Sequence, residues 1–105
     1  MYQLCFYVPE SHLDAVKLAV FSAGAGHVGN YDCCAWQTEG LGQFRPNSDS
    51  QPYLGKQGKL ETVVEFKVEL VCEDEFVKAA VIALLEAHPY EEPAYSLWRL
   101  EEVPS

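Results

Sequence analysis

Apolar and polar residues alternate with a period of two in two well-separated stretches of this chain, and they recur at helical spacing in two others. Residues 2–8 place Tyr2, Leu4, Phe6 and Val8 on one side and Gln3, Cys5 and Tyr7 on the other, a strand that Pro9 ends. Ser11 with Asp14 three residues later has the form of a capping box. Leu13, Val16, Val20 and Phe21 then follow at helical spacing, so a helix is expected to run to Gly24 or Gly26. A second strand is expected from about Tyr31 to Thr38. Gly40, Gly42, Pro46, Asn47, Pro52, Gly55 and Gly58 then crowd one region, which predicts a long loop or an extended hairpin tip over residues 40–58. The alternation is cleanest over residues 60–72, where Leu60, Thr62, Val64, Phe66, Val68, Leu70 and Cys72 oppose Glu61, Val63, Glu65, Lys67, Glu69 and Val71. Asp74 and Glu75 open a second, strongly apolar helix that Pro89 stops, and a last strand is expected from about Ala94 to Glu101.

The order strand, helix, strand, strand, helix, strand predicts an α+β fold. It is a ferredoxin-like sandwich, β-α-β-β-α-β, with a four-stranded antiparallel sheet and both helices on one face. No third helix is available for the other face. That face is nevertheless not polar: depending on register, Cys5, Tyr7, Val63, Val71, Tyr95 and Leu97 contribute to it. A half-apolar open sheet is usually covered by another subunit, so self-association is expected.

Composition narrows the functions. A chain of 105 residues is expected to form one domain, residues 1–105. A net charge of -9 argues against nonspecific nucleic-acid binding and against an anionic membrane surface, and it permits cations or basic partners. Neither a signal peptide nor a bilayer-spanning stretch is legible, which makes the cytoplasm the expected location. Cys5, Cys33, Cys34 and Cys72 show no C-x-x-C spacing and are expected to be small buried hydrophobes in a reducing compartment. Cys33 and Cys34, adjacent on a strand, would face opposite sides.

Several motifs occur in order: Gly24-x-Gly26-His27-Val28-Gly29-Asn30-Tyr31, Glu39-Gly40-x-Gly42-x-Phe44-x-Pro46, Pro52-Tyr53-x-Gly55, Gly58-Lys59-Leu60-Glu61, and His88-Pro89-Tyr90-Glu91-Glu92-Pro93-Ala94-Tyr95. Together they resemble the small domain inserted in the dinuclear-metal-centre hexamer proteins, the YqfO-like branch of the family related to the NGG-interacting factor. The resemblance runs from Tyr2 to about Leu100. It implies a fold like that of the PII signalling proteins and the CutA divalent-ion tolerance proteins, and a tendency to form trimers. In the full-length family members the two metal ions are held by flanking domains and not by the insert. His12, His27 and His88 form no H-x-x-H or H-x-D cluster here, so the metal centre and its hydrolase activity are not carried over.

The candidate ligand-binding residues are Gly26, His27, Gly29, Asn30, Tyr31, His88, Tyr90, Glu91, Glu92 and Tyr95. The glycine turn can present N–H groups to an anion, or it can simply cap a helix and turn the chain. His27 and His88 sit at opposite ends of the expected sheet and can meet only across an interface. His12, Glu39 or the 43–58 loop are nearer partners for His88. Glu91 and Glu92 point apart on an extended backbone and do not form a facing catalytic pair. One of them is suited to accept backbone N–H groups or to meet a cation of a neighbouring loop. Tyr31, Trp36, Tyr53, Tyr90, Tyr95 and Trp98 suit core and interface packing, or a cleft wall. No nucleophile–base pair is readable, so no enzyme and no cofactor is expected. The expectation is a noncatalytic, self-associating PII/CutA-like module. It would bind a small ligand or a partner protein at subunit clefts through the 40–58 loop and the 88–95 turn. The alternative is a copper- or zinc-binding protein with its ligands at a subunit interface.

Overall fold

The computed structural model describes residues 1–104. Four strands and two helices follow in the order β1 (Tyr2–Pro9), α1 (Glu10–Ser22), β2 (Trp36–Phe44), β3 (Glu61–Cys72), α2 (Val77–Ala87) and β4 (Tyr95–Arg99). The sheet order is β2-β3-β1-β4, and every neighbouring pair is antiparallel. This is the expected ferredoxin-like sandwich.

The core forms where the two periodicities meet. Leu4, Phe6 and Val8 of β1 pair with Leu70, Val68 and Phe66 of β3, so one face of the central strands is continuously apolar. Leu13, Val16 and Val20 of α1 and Ala80 and Leu84 of α2 close over that face. Burying each of the larger side chains contributes about 2 kcal/mol. The alternation of β3 is buried only toward its end. Glu61–Val64 pair with β2 alone, beyond the reach of β1, whose ladder stops at Pro9 opposite Glu65. There Val64 and Leu41 lie exposed on a two-stranded arm, which gives the molecule its long axis of 52 × 24 × 23 Å.

Several expectations are corrected. Helix α1 begins at Glu10, and Ser11 caps nothing: its hydroxyl lies 2.8 Å from Nδ1 of His12. The entry is set instead by Pro9, whose φ of -68° leads from strand to helix without an N–H to satisfy. Asp74 and Glu75 lie in a short 3₁₀ turn, Asp74–Phe76, ahead of α2. Strand β2 starts at Trp36, not Tyr31, and runs through Gly40 and Gly42 to Phe44, so the loop begins only at Arg45. Cys33 and Cys34 therefore lie on a loop. Cys33 is exposed with φ 54°, and Cys34 is half-buried with its thiol 3.6 Å from the Asp32 carbonyl. Only Cys5 and Cys72 are buried, and all four cysteines are free. The aromatics Tyr31, Trp36, Tyr53, Tyr95 and Trp98 are exposed rather than core residues. The register also reassigns β4. Tyr95 pairs with Phe6 and Leu97 with Leu4, which puts both on the helix-covered side. Trp98, opposite Gln3, takes their place on the bare side, in line with Val71. Trp36 shares that side through Glu69 and Cys5.

Candidate functional site

The β1–β4 ladder stops at the Phe6–Tyr95 pair, and the carbonyl of the next β1 residue, Tyr7, is taken by a side chain. His88, where Pro89 forbids α2 to continue, places Nε2 2.6 Å from that oxygen. Its Nδ1 accepts the Tyr90 N–H at 3.1 Å. A donor on one side and an acceptor on the other require a neutral ring with its hydrogen on Nε2. The ring is 6% exposed. Burial pushes its pKa below the ordinary histidine value; the Tyr7 carbonyl works in the opposite direction, and nearby His12 lowers it further. Both nitrogens are thus committed to the main chain.

Tyr90 packs its ring 4.7 Å from that of His88 and donates its hydroxyl to Glu65 at 3.2 Å. Burial first, and then the Glu65 carboxylate, raise the phenol well above its usual range. Glu65 reaches Tyr90 across β2 at Gly42, where any Cβ would collide with its carboxylate. This close approach explains a glycine inside a strand. Glu65 also borders a second cavity of about 380 Å³ on the bare sheet face, beside Tyr7, Thr38, Gly40 and Lys67.

The loop after β2 closes on itself. The Gly58 N–H donates to the Pro46 carbonyl at 2.6 Å, and the Ser50 N–H and the Gln57 side chain bind within it. Glu91 then receives the Gln51 N–H at 3.1 and 3.2 Å, which fastens the loop to the turn after α2. Tyr53 and Phe44 lie 6.2 and 6.3 Å from the Tyr90 ring, tilted by 44° and 45°. His12 meets Tyr53 edge-on at 5.8 Å. Between loop and turn lies a cavity of about 770 Å³, lined by Phe44, Arg45, Pro46, Asn47, Asp49, Ser50, Pro52, Tyr53, Leu54, Tyr90, Glu91 and Glu92.

Of the residues singled out from sequence, Tyr90, Glu91 and Glu92 line this cavity, and His88 holds Tyr90 from behind. Tyr95 starts β4 outside it. Gly26, His27, Gly29, Asn30 and Tyr31 lie at the other end of the sheet, where the Gly26 N–H donates to the Val71 carbonyl at 2.8 Å. Val28 and Tyr31 exchange hydrogen bonds around a tight turn, and His27 is exposed. That turn and the cavity do not meet within one chain. Phe44 was legible as a motif residue, Tyr53 as a motif aromatic suited to a cleft wall and Arg45 as a cation of the loop, whereas Asp49 stood out only as loop composition. Glu65 carried no local signal, because its role depends on strand register. Among the described residues no group of three or more His, Cys, Asp or Glu side chains converges to hold a metal ion. No helix among them is long and apolar enough to cross a membrane.

The sheet order and helix placement define a ferredoxin-like module of the CutA/PII kind. CutA1 from Pyrococcus horikoshii superimposes with a TM-score of 0.70 over 99% of this chain and 87% of its own, at 17% identity, a likeness of fold. A Bacillus cereus protein related to NIF3 superimposes with a TM-score of 0.82 at 35% identity, over 96% of this chain and 26% of that one. The chain is also 44% identical over 100 residues to the GTP cyclohydrolase 1 type 2 homolog of Halalkalibacterium halodurans, covering 95% of this chain and 27% of the relative. Its identity to the Bacillus subtilis protein of the same name is 40% over 103 residues, covering 98% and 28%. The chain is therefore homologous, over nearly its whole length, to the CutA/PII-like segment of the NIF3/YqfO-type proteins. It spans about a quarter of the length of the curated relatives it matches. No protein-family model matches the chain.

Proposed function

We propose that this chain is a noncatalytic, self-associating module that binds a small ligand in the cavity between the 45–54 loop and the 90–92 turn. The observation that carries this reading is the cavity itself. Two segments about 40 residues apart in sequence are fastened by the Glu91–Gln51 contact and border an open cleft of about 770 Å³ lined in part by aromatic side chains. That volume falls in the range of small-molecule sites. A noncatalytic role is favoured because the cavity offers no activated nucleophile. The Ser50 hydroxyl is donated to the Asn47 carbonyl, and His88 has no free nitrogen.

Self-association is favoured by the bare sheet face, where Trp36 is 71% and Trp98 46% exposed. A trimer is the assembly that the resemblance to PII and CutA implies. Four free thiols suit the reducing cytoplasm.

Light scattering coupled to gel filtration is expected to give three times the 11.8 kDa chain mass. A thermal-shift panel of metabolites, nucleotides and divalent ions is expected to contain a compound that raises the melting temperature of the wild type but not of Tyr53→Leu. A single-chain mass at high concentration, with a silent panel, overturns the reading.

A further inference from the structure

We infer that the cavity between the 45–54 loop and the 90–92 turn is built for a small organic cation, a guanidinium or ammonium compound, and not for a phosphorylated nucleotide. The inference rests on the site proposed above and specifies its ligand. Three rings, those of Phe44, Tyr53 and Tyr90, line one region of the cavity, with Tyr90 within 6.3 Å of both others and tilted against each. Aromatic rings that line a cavity supply the quadrupoles that attract a cation.

The lining also carries the carboxylates of Asp49, Glu91 and Glu92 against one guanidinium, Arg45. The ion pairs of the described residues join Met1 and Arg99 to Asp74, Lys17 to Asp14, and Lys67 to Glu69, so none neutralises the cavity. Its excess is two negative charges, three carboxylates less one guanidinium, on a chain of net charge -9. A concave wall of net negative charge concentrates cations and repels a triphosphate. The carboxylates do not converge on a point. They therefore match a spread, weakly hydrated cation better than a small metal ion that demands close oxygen ligands.

The test uses the full chain, titrated by heteronuclear NMR and calorimetry with butylguanidinium and with butylurea, its uncharged analogue of the same shape. Butylguanidinium is expected to shift amides of residues 45–54 and 90–92, and to bind at least about 10-fold more tightly than butylurea. Glu92→Gln, an exposed change with no folding role, is expected to weaken it about 5-fold, and Tyr53→Leu about 10-fold. Raising salt is expected to weaken it further. Acetyl-arginine amide carries the same group on a peptide. Tighter binding of that compound than of butylguanidinium assigns the cation to a protein side chain, and weaker binding assigns it to a free metabolite; both uphold the inference. Equal binding of butylurea, or binding indifferent to both substitutions, overturns it. If GTP or inorganic phosphate shifts the cavity amides and the cation does not, the cation inference falls while the site stands. If no compound shifts them, the site falls as well.

Discussion

The imidazole of His88 is fixed in one tautomer by two main-chain groups, and its protonation would set an N–H against the N–H of Tyr90. The groups facing it are the Tyr7 carbonyl, the Tyr90 ring and amide, and His12. Its folded pKa lies below the ordinary value of 6.5, mainly through burial. Below that value the unfolded chain binds a proton that the folded chain refuses, so stability rises with pH. The contribution is complete above about pH 6.5 and is lost as pH falls through the folded value. Urea unfolding at a series of pH values between about 8 and 5 is expected to show this loss. His88→Gln keeps a donor and an acceptor but cannot titrate, so its profile is expected to be flatter. His88→Ala leaves the Tyr7 carbonyl and Tyr90 amide without partners and is expected to cost about 1–3 kcal/mol at neutral pH.

Between α1 and β2 the chain makes its least regular passage. Gly26, at φ +81°, is squeezed between the Phe21 ring and the Cys34 carbonyl, 2.8 and 3.1 Å from any added Cβ. Gly26→Ala is expected to cost about 2–3 kcal/mol and to lower the melting temperature by roughly 10 °C in a thermal scan. Gly42→Ala meets only the movable end of Glu65. Its expected cost is under about 1 kcal/mol, with the Tyr90 hydroxyl losing its acceptor. These two positions show where sequence reading reached its limit. The alternation of residues 2–8 and 60–72 specified the central strands, since burial on one side enforces the period. Strand β2 was placed too early because Tyr31 to Ala35 contain no glycine or proline to mark them as a loop. The chain there is instead held by Gly26 and by the left-handed Cys33. It was ended too early because Gly40 and Gly42 look like breakers, whereas the strand needs a missing side chain for Glu65 to cross. The turn from His88 to Glu92 was legible as a site from its residue types. The work of His88 was not, because its acceptor lies on Tyr7, at the far end of the chain.

For the molecule as a whole, the two faces of the sheet have different fates. One is covered by helices over its central strands. The other carries Trp36, Trp98, Val71 and the groove beside Tyr7, with Cys5 only 2% exposed among its larger neighbours. Trp36→Glu with Trp98→Glu places like charges where copies are proposed to meet, without touching the core. Sedimentation velocity is expected to move from the oligomer to the single chain at micromolar concentration, while circular dichroism stays unchanged.

A quieter feature is the hydrogen bond from the Leu100 N–H to the Met1 carbonyl, 3.0 Å long. It means that the polypeptide leaves this fold at the doorstep where it enters. A short linker between residues 1 and 100 would therefore close the chain into a circle and leave the sandwich undisturbed.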